Sequence, residues 1–69
     1  MEERYRKIGL KIAYFRKLKK YSQLQLAEML EISRTHLSNI EAPNMNTSIS
    51  LELLFKTADA LEIDVKELF

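Results

Sequence analysis

The sequence predicts an all-α fold, a compact set of five helices around one core. Three observations carry that expectation. The 69 residues include one glycine and one proline, too few for a turn-rich β fold or a low-complexity chain. Apolar residues recur at steps of three and four, the spacing that lines one face of a helix. Serine or aspartate (Ser22, Ser33, Ser50, Asp64) stands just ahead of four apolar-periodic segments, where a side-chain oxygen can cap a helix start.

The first helix is expected from about Arg4 to Lys20, with Ile8, Ile12, Phe15 and Leu18 inward. Ser22 and Gln25, three apart, read as a capping box for a second helix, Gln23–Leu30, with Leu26, Ala27 and Leu30 inward. Two turns are too short to be stable alone, so this helix must pack on neighbours. Ser33 caps a third helix from about Arg34 to Ala42. Leu37 and Ile40 face its core side, and Arg34, Thr35, His36, Ser38 and Asn39 are left outside. Pro43 ends it by disfavouring the helical conformation at the preceding residue. A polar loop leads to Ser50, which caps Leu51–Leu61, with Leu51, Leu54, Phe55, Ala58 and Leu61 inward. Asp64, with Glu67 three residues later, caps a short fifth helix, Val65–Phe69.

A chain of this length builds one core, so residues 1–69 are expected to form a single domain. Without cysteine there is no disulfide framework or thiolate metal site, and one histidine, His36, makes no metal cluster. No nucleophile–base pair is visible either, so neither enzyme activity nor a cofactor, metal or small-molecule ligand is expected. No apolar run approaches the roughly 18 residues of a membrane span. Met-Glu-Glu-Arg opens the chain with no apolar signal region behind it, which makes the cytoplasm the expected compartment.

The net charge of +1 conceals an asymmetry. Residues 1–40 hold nine bases against four acids, and residues 41–69 hold two against six. Such a split suits a nucleic-acid face opposite an acidic back, and equally the ordinary solvated faces of a small helical domain.

The stretch QLQLAEMLEISRTHLSNIEA, Gln23 to Ala42, decides more. Two short helices joined by a tight turn, the second polar on its outer face, form a helix-turn-helix. Ala27 lies where the two helices cross and only a small side chain fits. In this arrangement the first helix crosses the DNA backbone and the second offers its N-terminal side chains to the major groove. Spacing alone leaves an ordinary helical hairpin open.

The chain resembles the Cro/phage-repressor family of helix-turn-helix proteins, also called the XRE family, over residues 8–69. The resemblance rests on IGLKIAYFRKLKK, SQLQLAEMLEISRTHLSNIE and SLELLFKTADALEIDVKELF. It implies the lambda-repressor-like fold, with the helix-turn-helix at helices 2 and 3, and a sequence-specific regulator of transcription on double-stranded DNA. Repression by operator occupancy is the simplest mode for so small a chain. The alternatives are an antitoxin that also holds a toxin, and a protein-interaction module on the same scaffold. The sequence departs from the family where glycine is usual, at Lys20, Glu31 and Glu62. Either these residues take left-handed backbone at a cost on the order of 1 kcal/mol, or the turns shift. The loop 42–49 is also about two residues longer than the usual connection.

Base contacts are expected from Arg34, Thr35, Ser38 and Asn39. Arginine pairs bidentately with guanine, asparagine does so with adenine, and threonine can meet a thymine methyl. Phosphate contacts are expected from Gln23, His36, Asn44, Asn46 and Thr47; that of Gln23 is implied by the family. The resemblance also implies an ion pair, Arg16 with Glu41, joining the first helix to the end of the third. Proteins of this fold commonly bind as dimers to two half-sites. A homodimer on a palindromic operator is therefore expected, with Val65 and Phe69 as candidate dimer contacts and Leu68 closing the monomer's own core.

Overall fold

The computed structural model describes residues 2–42 and 47–69. Its elements are α1 (Glu2–Leu18), α2 (Gln23–Leu30), α3 (Arg34–Glu41), α4 (Leu51–Leu61) and a closing 3-10 turn (Val65–Leu68). The described residues contain no strand. The fifth helix is thus a single 3-10 turn. Glu67 N donates to Asp64 O at 2.9 Å and Phe69 N to Lys66 O at 3.2 Å, both spanning three residues. Its second amide is capped by Asp64, whose Oδ1 accepts from Lys66 N at 3.1 Å. The bounds of α2 and α4 match the sequence reading, whereas α1 starts and stops two residues earlier.

The helix starts follow from the serines. Ser22 Oγ accepts from Gln25 N at 3.0 Å while Gln25 Oε1 accepts from Ser22 N at 2.7 Å, a complete capping box. Ser33 accepts from His36 N at 2.9 Å, and Ser50 from Leu53 N at 3.1 Å. Ala42, which precedes Pro43, has extended backbone with φ −70° and ψ 127°.

The helix ends share one geometry. Lys20, Glu31 and Glu62 lie at φ 62°, 59° and 59°, so the turns have not shifted and side chains occupy the left-handed positions. At each, the next residue's amide reaches back five residues: Tyr21 N to Arg16 O, Ile32 N to Ala27 O, and Ile63 N to Ala58 O, at 3.0–3.1 Å. This is the Schellman arrangement, and its hydrophobic partner is present three times. Tyr21, Ile32 and Ile63 all pack against the core.

That core contains Ile8 and Ile12 from α1, Leu26, Ala27 and Leu30 from α2, Leu37 and Ile40 from α3, and Leu54, Ala58 and Leu61 from α4, closed by Leu68. Leu18, Leu51 and Phe55, expected inside, are instead exposed. Leu18 ends α1 and Leu51 opens α4, where each helix has run out of neighbouring turns, and Phe55 lies at the edge of the α4 stripe. Thr57 is fully buried in their stead. Its hydroxyl donates to Leu53 O at 2.7 Å, which removes the penalty of burying it.

Gly9 fixes how closely α1 meets α3. A Cβ at this position would stand 1.9 Å from the carbonyl oxygen of Ile40. The two backbones therefore touch directly, and only glycine permits it.

Candidate nucleic-acid interface

The pair α2 and α3, joined by Glu31, Ile32 and Ser33, forms a helix-turn-helix. Its interior is apolar: Leu26, Ala27 and Leu30 face Leu37 and Ile40, with Ile32 packed in the turn. Ala27 is 1% exposed, as a small residue at a helix crossing should be. The left-handed backbone at Glu31 ends α2, and Ser33 restarts the chain as α3. The start of α3 is thereby left exposed, from Ser33 to His36.

Arg34, Thr35 and His36, in the first turn of α3, are exposed, and Ser38 and Asn39 are half-buried. These five residues lie on one short helix with no acidic residue in its first turn. Gln23 opens α2 and is half-buried; Thr47, in the chain leading to α4, is half-buried also. Asn44 and Asn46 lie outside the described residues. Val65 is half-buried and Phe69 exposed, while Leu68 is fully buried.

Behind this surface lies a polar network. Arg16 Nε donates to Glu41 Oε2 at 2.8 Å and Arg16 Nη2 to Glu41 Oε1 at 3.0 Å, a two-pronged ion pair between residues only 8% and 7% exposed. Arg16 Nη1 donates to Tyr21 O at 2.8 Å, which ties the turn after α1 into the same network. Glu41 Oε1 also accepts from Gln23 Nε2 at 3.0 Å. One carboxylate thus joins α1, the start of α2 and the end of α3. Among the described residues no buried side-chain nitrogen or oxygen lacks a partner.

The family resemblance points to the Arg16–Glu41 pair, but the third donor, Gln23, escapes sequence reasoning, because its carboxylate partner is 18 residues away. Gly9 escapes too, although a lone glycine inside a helical pattern is a signal of close backbone approach. Arg16, Glu41, Gln23 and Ser38 line one surface depression, together with Lys17, Leu10, Ala13 and Ala42. Of the other lysines, Lys19 pairs with Glu62 and Lys56 with Glu31, at 3.3 Å for the second. The hydrogen bond to Glu62 raises the Lys19 ammonium above its ordinary range, and the same bond lowers the Glu62 carboxyl. Among the described residues no group of three or more His, Asp or Glu could hold a metal ion, and no helix is long and apolar enough to cross a membrane.

Residues 12–68 match the model of the family described as helix-turn-helix. The chain belongs to this family, in its Cro/repressor-type branch. Among relatives, the chain is 38% identical over 61 residues to the HTH-type transcriptional regulator SinR of Bacillus subtilis (strain 168), covering 88% of this chain and 54% of SinR. It thus spans about half the length of that curated relative. Among solved structures, the restriction-modification controller protein C.AhdI from Aeromonas hydrophila superposes with a TM-score of 0.82 at 32% identity, over 94% of this chain and 96% of that one. The master regulator for biofilm formation SinR, solved in complex with DNA, superposes with a TM-score of 0.79 at 38% identity, over 88% and 95%. The helix-turn-helix family thus accounts for nearly the whole described fold, including the 3-10 turn that ends at Leu68.

Proposed function

We propose that this chain binds double-stranded DNA in a sequence-specific way and regulates transcription, acting as a repressor by occupying an operator. The observation that carries the reading is the exposed polar first turn of α3 on a helix-turn-helix scaffold. The SinR structure in complex with DNA, close in fold and sequence, supports it. In this reading α3 enters the major groove, Arg34, Thr35, Ser38 and Asn39 meet base edges, and Gln23, His36 and Thr47 meet phosphates. Asn44 and Asn46, which follow α3 in the sequence, add to the phosphate contacts. Residues 1–69 act as one DNA-binding domain inside the cell, without catalytic activity, and two copies occupy a palindromic site.

Selection of sites from random duplex DNA near physiological salt tests this, with Asn39→Ala in parallel. The expected result is a palindromic motif that relaxes at one position of each half-site in the variant, a loss of about 1–3 kcal/mol of discrimination. Weak, steeply salt-dependent binding without a motif would overturn the reading.

A further inference from the structure

We propose that Glu41 is a positioning residue for DNA binding, holding the Gln23 side chain in the orientation that grips a phosphate. The inference rests on the DNA-binding reading above and on the phosphate role proposed there for Gln23.

A glutamine at the first position of a helix has several rotatable bonds and samples many orientations when nothing holds it. Here Gln23 Nε2 donates to Glu41 Oε1 at 3.0 Å. Glu41 is itself immobilised, gripped by both prongs of Arg16, whose third bond runs to Tyr21 O. The anchor is rigid and electrically balanced. It can sit behind a phosphate site without presenting uncompensated negative charge to it.

The same bond fixes which end of the amide faces the carboxylate. An ionised carboxylate only accepts, so the nitrogen of Gln23, not its oxygen, must face Glu41. That nitrogen carries two hydrogens. One goes to Glu41, and the other is left to donate to a phosphate at the depression that Gln23 lines with Lys17 and Ser38. A flipped amide would set its oxygen against the Glu41 carboxylate, and the two acceptors would repel. Glu41 therefore selects the rotamer and the polarity of Gln23 together.

A thermodynamic cycle on one selected operator duplex tests the proposal. The variants are Gln23→Ala, the double replacement Arg16→Met with Glu41→Leu, and all three changes together. The double replacement removes one charge of each sign and exchanges a buried ion pair for apolar groups, a swap that folds tolerate. We expect Gln23→Ala alone to weaken binding about tenfold. The double replacement should weaken it comparably at unchanged helicity, and Gln23→Ala should then cost less than about twofold more. Equal effects of Gln23→Ala in both backgrounds, or wild-type affinity of the double replacement, would overturn the positioning role. If Gln23→Ala leaves wild-type affinity unchanged while a motif is still bound, the phosphate role fails and the proposal with it, but DNA binding stands. A measurement on the unaltered protein guards against a variant that does not fold. Side-chain ¹⁵N relaxation should show the Gln23 amide as rigid as the α2 backbone, and an order parameter below about 0.6 would overturn the proposal.

Discussion

Adding a methyl group at Gly9 would place a carbon 1.9 Å from the Ile40 carbonyl oxygen. Neither partner is the flexible end of a side chain, so α1 must move away from α3. Gly9→Ala should destabilise the fold by about 1–3 kcal/mol, read as a lower urea midpoint at unchanged helix content. Arg16 poses a different problem. Arg16→Met alone leaves the Glu41 carboxylate 7% exposed without its cationic partner. That should cost about 3–5 kcal/mol in urea denaturation, more than the double replacement with Glu41→Leu. Lys20 and Glu31 are strained in the opposite sense. Both are exposed and hold left-handed backbone that glycine takes freely. Lys20→Gly and Glu31→Gly should each raise stability by up to about 1 kcal/mol, despite the larger unfolded-state entropy of glycine. A fall in melting temperature for both would contradict the strain.

At the scale of elements, the caps carry the definition of α3, which has only 8 residues. Ser33→Ala removes the acceptor for His36 N and should cost about 1 kcal/mol. Amide exchange should quicken first at the start of α3. The Lys19–Glu62 pair bridges the turn after α1 and the turn after α4. Because Glu62 is lowered, its contribution is present above the ordinary carboxylate value and is lost as pH falls through the lowered one. Because Lys19 is raised, its share is lost only as pH rises through the raised value. Glu62→Gln should therefore flatten the acid limb of the melting profile and leave its neutral plateau nearly unchanged, since the pair lies at the surface. The sequence makes these elements legible where local chemistry decides them. Ser22, Ser33 and Ser50 mark the starts of α2, α3 and α4, and the residues in glycine's usual places mark all three left-handed ends. It is silent where a distant partner decides. Periodicity gives Leu18, Leu51 and Phe55 an inward direction but not a neighbour to bury them. Hydrophobicity alone overlooks Thr57, whose hydroxyl is satisfied within its own helix. On α3 the outward direction of Arg34, Thr35 and His36 is legible, but Ser38 and Asn39, expected outside, are half-buried, and the Gln23 bond to Glu41 exists only once the chain has folded.

At the scale of the whole molecule, the described residues extend 26 × 25 × 21 Å. Two half-sites one turn of DNA apart are separated by about 34–36 Å, more than one copy spans. A selected operator should accordingly hold two protomers, with half-site centres about 10 base pairs apart, read by sedimentation of the complex and by the motif itself. Changing that spacing by half a turn should abolish joint occupancy, and undiminished occupancy would contradict a dimer. The direct backbone contact at Gly9 bears on how such a protein could be re-engineered. Because α1 and α3 meet through main-chain atoms there, their mutual placement does not depend on which side chains α3 turns outward. The outward positions 34, 35 and 36 could be exchanged as a cassette and the new helix would sit at the same depth. Binding preference could then be transplanted between scaffolds without redesigning the interior.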